Sequence, residues 1–343
     1  MDITSALNTI VNAGDLSFED AQALFTKAMQ GELSDIQLAG LLMGLRVKGE
    51  TVAELAGAAE AMRSLSVKVA VEVPHLVDTC GTGGSGGAKL FNISTAAAFV
   101  AAAGGAHVAK HGNRAMTSKS GSADLLEAAG VNLALTPEQV ATCIRETRIG
   151  FMFAQAHHSA MRHAAAARRE LQVRTMMNVL GPMTNPAGAK NQLIGVFAPE
   201  WQRKIIEVLN QLGSERALSV HSAGLDEFSL TATANVVELV DGDIREYQVT
   251  PEDVGLKTRT LDGLTSDSPQ QSLAHVRESL RNVDSAAAQI VAFNAGAALY
   301  VAGCTADLRT GVDLALSNIR DGQALNRLEA LATLSQTFAT GES

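Results

Sequence analysis

Apolar residues recur at three- and four-residue spacing over Asp20 to Met29, Asp35 to Leu45 and Val52 to Ser64, which predicts three amphipathic helices. Ser17 ahead of Glu19 and Asp20, Ser34 ahead of Asp35, and Glu50-Thr51 read as helix starts, with Gly31 and Gly49 as stops. Residues 1 to about 70 are therefore predicted to be purely helical. From His75 the pattern changes to short apolar runs, each followed by a polar or Gly-rich loop and an Ala-rich helix. Leu76-Val77, Ala106 to Val108, Val131 to Leu135, Ile149 to Phe153, Leu193 to Phe197 and Leu218 to His221 are the candidate strands. Strands alternating with helices imply right-handed crossovers and a mainly parallel sheet. Asn235 to Val240 and Ile244 to Val249, split by Asp241-Gly242-Asp243, read as a hairpin at the sheet edge. Helices return from Ser268 onward, and Leu261 to Gln270, rich in Ser, Thr and Asp, reads as the most mobile loop.

Composition narrows this α/β picture. A length of 343 residues suggests about two domains at roughly 150 residues each. Hydrophobic residues make up 46% and charged ones 18%, a core-forming balance, while aromatics at 4% leave the core to Ala, Leu, Val and Ile. The net charge of −9 argues against a global nucleic-acid surface. Apolar runs such as Ala96 to Ala103 fall short of the ~20 residues of a membrane span. Cys80, Cys143 and Cys304 are odd in number and scattered, which argues against a disulfide framework or a zinc site. With no basic or apolar leader at Met1-Asp2-Ile3-Thr4, a reduced, cytoplasmic setting is expected.

Five glycines fall between positions 81 and 87, directly after the first predicted strand. Without Cβ atoms, such a loop brings backbone N–H groups close to an anion. Asn92-Ile93-Ser94-Thr95 then opens a helix whose capped N-terminus adds anion affinity. The spacing Gly81-x-Gly83-x-x-Gly86 matches a dinucleotide fingerprint, but Lys110 and His111 stand in the region where that motif carries an acid. Lys89 lacks the neighbours of a P-loop lysine. Phosphate binding is the better reading than a plain surface turn.

Two basic segments and one acidic pair follow. Lys110-His111-Gly112-Asn113-Arg114 comes after the second strand, where α/β sheets bind ligands. Between His157 and Arg174 there are four arginines against one glutamate, and His157, His158 and His163 add to them. A positive focus of this kind on an acidic chain suits a multiply anionic small molecule. Zinc ligation by these histidines lacks a supporting Cys or carboxylate at ligand spacing. Asp226-Glu227, after the strand ending at His221, suits Mg²⁺ held through oxygen ligands, with Ser94 as a hydroxyl donor.

This ordered set of motifs resembles the anthranilate phosphoribosyltransferase family over essentially the whole chain. The resemblance rests on Gly81-Thr82-Gly83-Gly84, Asn92 to Thr95, Lys110 to Arg114, Ser120 to Asp124 and Leu225-Asp226-Glu227. Its most specific stretch runs from Arg168-Arg169-Glu170-Leu171 through Arg174-Thr175 and Asn178 to Leu180-Gly181-Pro182 and Asn185-Pro186. Ser85 stands where the family usually has Asp, the glycine loop is one residue longer, Thr117 replaces a common Ser, and Ser159 a frequent Pro.

The resemblance implies a nucleoside phosphorylase II-like fold: a helical domain over 1–70, joined by part of 160–190, and an α/β domain over 71–343. It implies a cytoplasmic homodimer catalysing the second step of tryptophan biosynthesis from chorismate, with ligands in the cleft between domains. Gly81, Gly84, Ser85, Asn92, Ser94, Thr95, Lys110 and Ser118 would cradle phosphoribosyl pyrophosphate. Ser94, Asp226 and Glu227 would hold Mg²⁺, and anthranilate would meet Gly81, His111, Asn113, His158, Arg168 and Gly181. Lys110, Arg168 and Asn113 would carry catalysis by charge stabilisation and positioning. A pyrimidine-nucleoside phosphorylase shares the architecture but not the Arg168 to Pro186 motif. A nucleic-acid-binding paralogue conflicts with the net charge, and a plain dimerisation module leaves the glycine loop and Asp226-Glu227 without purpose.

Overall fold

The computed structural model describes residues 1–83, 90–115 and 119–339. Four helices come first: α1 (Ile3–Val11), α2 (Phe18–Gln30), α3 (Asp35–Lys48) and α4 (Val52–Ser64). Ser17, Ser34 and Thr51 cap α2, α3 and α4 by accepting the N–H three residues on, and Gln37 and Glu54 return the bond to their caps. Gly31 and Gly49 end α2 and α3 at φ 79° and 90°. The sequence reading does not single out α1.

The chain then runs β1 (Leu76–Gly81), α5 (Ile93–Ala103), β2 (His107–Gly112), α6 (Ser122–Ala128), α7 (Pro137–Thr147) and β3 (Ile149–Phe153). It continues through α8 (Ala154–His157), α9 (Ala165–Leu171), β4 (Asn191–Gly195), α10 (Gln202–Gln211) and β5 (Arg216–His221). The hairpin β6 (Ala234–Val240) and β7 (Asp243–Val249) precedes α11 (Pro269–Ser279), α12 (Ala286–Val301), α13 (Leu308–Arg320) and α14 (Gln323–Thr337). The sheet order is β3-β2-β1-β4-β5-β6-β7; the first five strands are parallel and the last two pairings antiparallel. Asp241 and Gly242, at φ 49° and 92°, make the two-residue turn of the hairpin.

One predicted strand is absent: Val131 to Leu135 has no strand geometry. The Asn132 N–H donates to Ser335 Oγ at 3.0 Å, so this stretch is tied to α14 instead of a ladder. The loop over 261–270 carries an isolated bridge between Leu90 and Thr265 and a buried Ser266.

Helices cover both sheet faces, as a parallel sheet requires. Residues of α5 and α11 to α14 pack with Val77, Val108, Leu193 and Leu218 on one face. On the other, α10 and residues of α1 to α4 share a core with Ile194, Val196, Ala217 and Leu239. Ala164, Ala167, Met176, Leu180 and Met183 enter that second core, so the segment after β3 returns to the N-terminal helices. Arg63 of α4 fixes the return by donating from Nε to the Met183 carbonyl at 2.7 Å.

Candidate active site

The strand order places a topological switch between β1 and β4, whose crossovers leave in opposite directions. Ligand crevices in open α/β sheets form there, at the carboxyl ends of the strands. Gly81 closes β1 at this point. Thr82 continues from it, donating its N–H to the Gly195 carbonyl at 2.9 Å and accepting the Phe197 N–H on Oγ1 at 3.0 Å.

Asp226 and Glu227 reach the same crevice from β5. The turn Ser222 to Leu225, closed by two reciprocal backbone bonds with Ala223 and Gly224 at positive φ, aims them back at β1. Asp226 Oδ2 accepts the Gly83 N–H at 3.0 Å, and Glu227 Oε1 accepts the Ser94 N–H of the first turn of α5 at 3.1 Å. A Cβ on Gly81 would stand 2.6 Å from Asp226 Oδ2, so glycine lets the carboxylate come this close without shifting. Burial and the adjacent Asp226 charge push Glu227 up to about 8. Two crowded carboxylates, a Ser94 hydroxyl nearby and a cavity of about 10 Å³ beside Ser94 and Glu227 fit a small divalent cation with oxygen ligands. No group of three His, Cys, Asp or Glu side chains gathers anywhere among the described residues, so the fit here rests on two carboxylates and a hydroxyl.

Strand alternation splits the next pair of predicted residues. Lys110, 2% exposed, points to the α5 face, where Nζ donates to the Thr79 carbonyl at 2.6 Å and to Ser94 Oγ at 3.5 Å. Its neighbour His111 points to the opposite face, against His158, with ring centroids 5.0 Å apart. Burial first, and neighbouring histidines second, lower His111 to about 3 and His158 to about 4. Both rings are therefore neutral at pH 7, and Nε2 of each is buried without a hydrogen-bond partner among the described residues. Gly181 passes beside His111, and a Cβ there would meet open space.

The positive focus is narrower than the sequence reading has it. Arg114 is neutralised by Asp124 and Glu127, at 3.0 Å and 2.8 Å. Arg174 lies over the Phe197 ring at 4.3 Å. His157 faces the Val67 carbonyl at 2.7 Å, and His163 lies against Gly31, so the three histidines point to different neighbours. Arg168 is the exception: burial lowers its pKa, and no hydrogen bond or ion pair to it occurs among the described residues. Asn113 is exposed, with Oδ1 on the Arg114 N–H at 2.8 Å.

Asn92 holds the N-cap position of α5 without capping it. Its Oδ1 accepts Ser120 Oγ and Ser272 Oγ at 2.9 Å and 2.7 Å, and its Nδ2 donates to the Ser120 carbonyl. It ties three segments together behind Thr95, whose buried Oγ1 has no partner among the described residues. Gly84, Ser85 and Ser118 lie outside the described residues.

Sequence reasoning missed Asn294, Ser272 and the role of Asn185. Asn294 brackets the Phe228 backbone directly after Glu227, and Asn185 donates to the Ala109 carbonyl at 2.9 Å, fixing the Gly181 segment to β2. A signal was available for the first: Asn294 is the one amide within the apolar run Ile290 to Val301 of α12.

Two family models match the chain, a glycosyl transferase helical bundle domain over residues 4–66 and a glycosyl transferase a/b domain over residues 73–325. Anthranilate phosphoribosyltransferase of Ectopseudomonas mendocina is 52% identical, covering 98% of each chain, and that of Pseudomonas aeruginosa is 50% identical with the same coverage. The crystal structure of the Thermus thermophilus anthranilate phosphoribosyltransferase superposes with a TM-score of 0.91 at 44% identity, covering 96% of this chain and 99% of that one. The Saccharomyces cerevisiae enzyme in complex with PRPP and Mg gives 0.87 at 25% identity over 98% of both. Crevice geometry, family models and full-length identity converge: the chain belongs to the glycosyl transferase family, among its anthranilate phosphoribosyltransferases.

Proposed function

We propose that this chain transfers the 5-phosphoribosyl group of phosphoribosyl pyrophosphate to the amine of anthranilate, releasing diphosphate, as a step of tryptophan biosynthesis. The observation that carries the reading is the division at Lys110 and His111. One face gathers Lys110, Ser94, the α5 N-terminus and the Asp226-Glu227 pair; the other brings His111 against His158, while Arg168, on α9, has no partner among the described residues. Anionic diphosphate suits the first set, two neutral rings suit an aromatic acceptor, and an unpaired guanidinium suits its carboxylate.

Ser94, Asp226 and Glu227 would hold Mg²⁺, which when bound would neutralise charge on the leaving diphosphate. Lys110 and backbone N–H groups stabilise the same charge as the C1–O bond breaks. Arg168 and Asn113 orient the acceptor, with its amine toward C1. An aromatic amine is a weak nucleophile, so the bond breaks early, with oxocarbenium character at C1. The amine proton leaves readily after bond formation, which matches the weak basicity of His111 and His158.

We assign residues 1–70 with part of 160–190 to a helical domain and 71–343 to the α/β domain, in a cytoplasmic homodimer. The cysteines are free, which suits a reducing compartment. Val11, Ile36 and Val47, each more than 80% exposed on α1 and α3, supply apolar surface for a second copy. Sedimentation of Ile36→Glu/Val47→Glu as a monomer, against a wild-type dimer, checks this.

Loss of anthranilate fluorescence with phosphoribosyl pyrophosphate tests the reaction. Mg²⁺-dependent loss in the wild type, absent from folded Asp226→Asn/Glu227→Gln, is expected. A folded wild-type protein that consumes no anthranilate overturns the reading.

A further inference from the structure

Asp78 of β1 and Gln192 of β4 are cross-strand partners in the middle of the parallel sheet, and both are fully buried. Paired residues point to one face of a sheet, here the face of Ala109 and His111 and not that of Lys110. Ala109, Ile194 and Ala217 beside them on that face are buried and apolar. Both polar groups serve the segment from Gly181 to Asn185 that packs over this part of the sheet.

Gln192 Nε2 donates to the Pro182 carbonyl at 2.8 Å. Asp78 Oδ1 accepts the His111 N–H at 3.2 Å, and the Asn185 amide and Cys80 thiol lie beside the same carboxylate. Asn185 in turn donates to the Ala109 carbonyl at 2.9 Å, and Arg63 of α4 holds the Met183 carbonyl at 2.7 Å. The segment held in this way sets Gly181 beside His111 and Thr184 beside His158. Asp78 is thus shared between the strand that carries His111 and the segment that faces it. Burial raises the Asp78 pKa, so the carboxylate is costly here, and an apolar pair of similar volume would serve cohesion as well or better. What buried polar groups add is direction, since each bond specifies one height for the backbone it binds.

We propose, on the strength of the transfer reaction argued above, that Asp78 and Gln192 are positioning residues for the acceptor. Acting through His111, Asn185 and Pro182, they set the separation between the His111–His158 pair and the Gly181 segment at which an aromatic ring is held. The donor side lies on the opposite sheet face, with Lys110 on Ser94, so loss of either residue acts on one substrate.

Steady-state kinetics by anthranilate fluorescence, with each substrate varied, test this on two variants. Asp78→Asn keeps an acceptor for the His111 N–H but sets an NH₂ group against the Asn185 amide, and Gln192→Met keeps the volume but releases Pro182. In each, KM for anthranilate is expected to rise about tenfold or more, while KM for phosphoribosyl pyrophosphate and kcat with both saturating stay within about threefold. A residue serving the core alone would lower Tm or the active fraction and move neither KM. An unchanged KM for anthranilate in a folded variant, or an equal rise for both substrates, overturns the assignment. One folded variant is enough to decide, and failure of both to fold limits the pair to the core and overturns it too. A wild-type protein that consumes no anthranilate overturns the transfer reaction and this assignment with it. Wild-type turnover without the split in the variants overturns this assignment alone.

Discussion

Asn294 and Phe228 hold each other by two hydrogen bonds: the Phe228 N–H donates to Asn294 Oδ1, and Asn294 Nδ2 donates to the Phe228 carbonyl, both at 2.9 Å. Both residues are fully buried, and Phe228 follows Glu227 directly. The amide on α12 therefore fixes the height at which the carboxylate pair enters the crevice. Asn294→Leu leaves a buried N–H and C=O unpaired, so a loss of about 2–4 kcal/mol in denaturant unfolding is expected. The Mg²⁺ concentration for half-maximal turnover should rise as well. Unaltered Mg²⁺ dependence in a destabilised variant would limit Asn294 to the core.

Gly81 and Gly195 flank Asp226 from two strands. A Cβ at Gly81 meets a carboxylate oxygen, which can move; one at Gly195 overlaps the Asp226 carbonyl, which cannot without shifting the backbone. Gly81→Ala should lower kcat/KM for phosphoribosyl pyrophosphate about 10- to 100-fold with little change in Tm. Gly195→Ala should cost about 1–3 kcal/mol of stability in addition. Kinetics and thermal melts on both variants separate the two effects.

Stability should fall in acid through the histidine pair. His111 and His158 have folded values near 3 and 4, below the ordinary 6.5, so the unfolded chain binds more protons between those limits. Stability is fully present above about pH 6.5 and declines as pH drops toward 4, by up to about 1.4 kcal/mol per pH unit for each ring. His158→Gln should flatten that slope in denaturant unfolding across pH 4–7, and a slope identical to wild type would contradict the assignment.

Arg168 carries a half-buried guanidinium without a partner among the described residues, so its removal relieves a desolvation cost while deleting an anion contact. For Arg168→Gln, KM for anthranilate should rise about 10- to 100-fold, and folding stability should hold or increase. Steady-state kinetics with each substrate varied would reveal it. An equal rise for both substrates would instead implicate Arg168 in general closure of the crevice.

Gln172 ends α9 at φ 52°, a left-handed position that favours glycine. Gln172→Gly should stabilise the protein, by up to about 1 kcal/mol, with little effect on kcat. A thermal melt is sufficient to check it.

Local chemistry makes much of this legible in the sequence alone. Ser17, Ser34 and Thr51 cap helices because their hydroxyls satisfy first-turn N–H groups, an interaction three residues long. The Asp241-Gly242 turn is equally local. Val131 to Leu135 misled because its backbone is tied through Asn132 to Ser335 of α14, more than 200 residues further on, instead of to a strand. Arg114 misled in a related way: its charge was readable, its pairing with Glu127 on α6 was not.

The sequence by itself determined the class of architecture, the helix caps and the residue types of the crevice, since these depend on periodicity, capping residues and charge within short windows. Only the tertiary structure decided that Lys110 and His111, adjacent in the chain, serve opposite sides of the sheet. It also decided that Asn294 fixes the height of Glu227. These relations depend on which elements the sheet order makes neighbours. That order is set by packing both sheet faces at once, and no short window of sequence contains it.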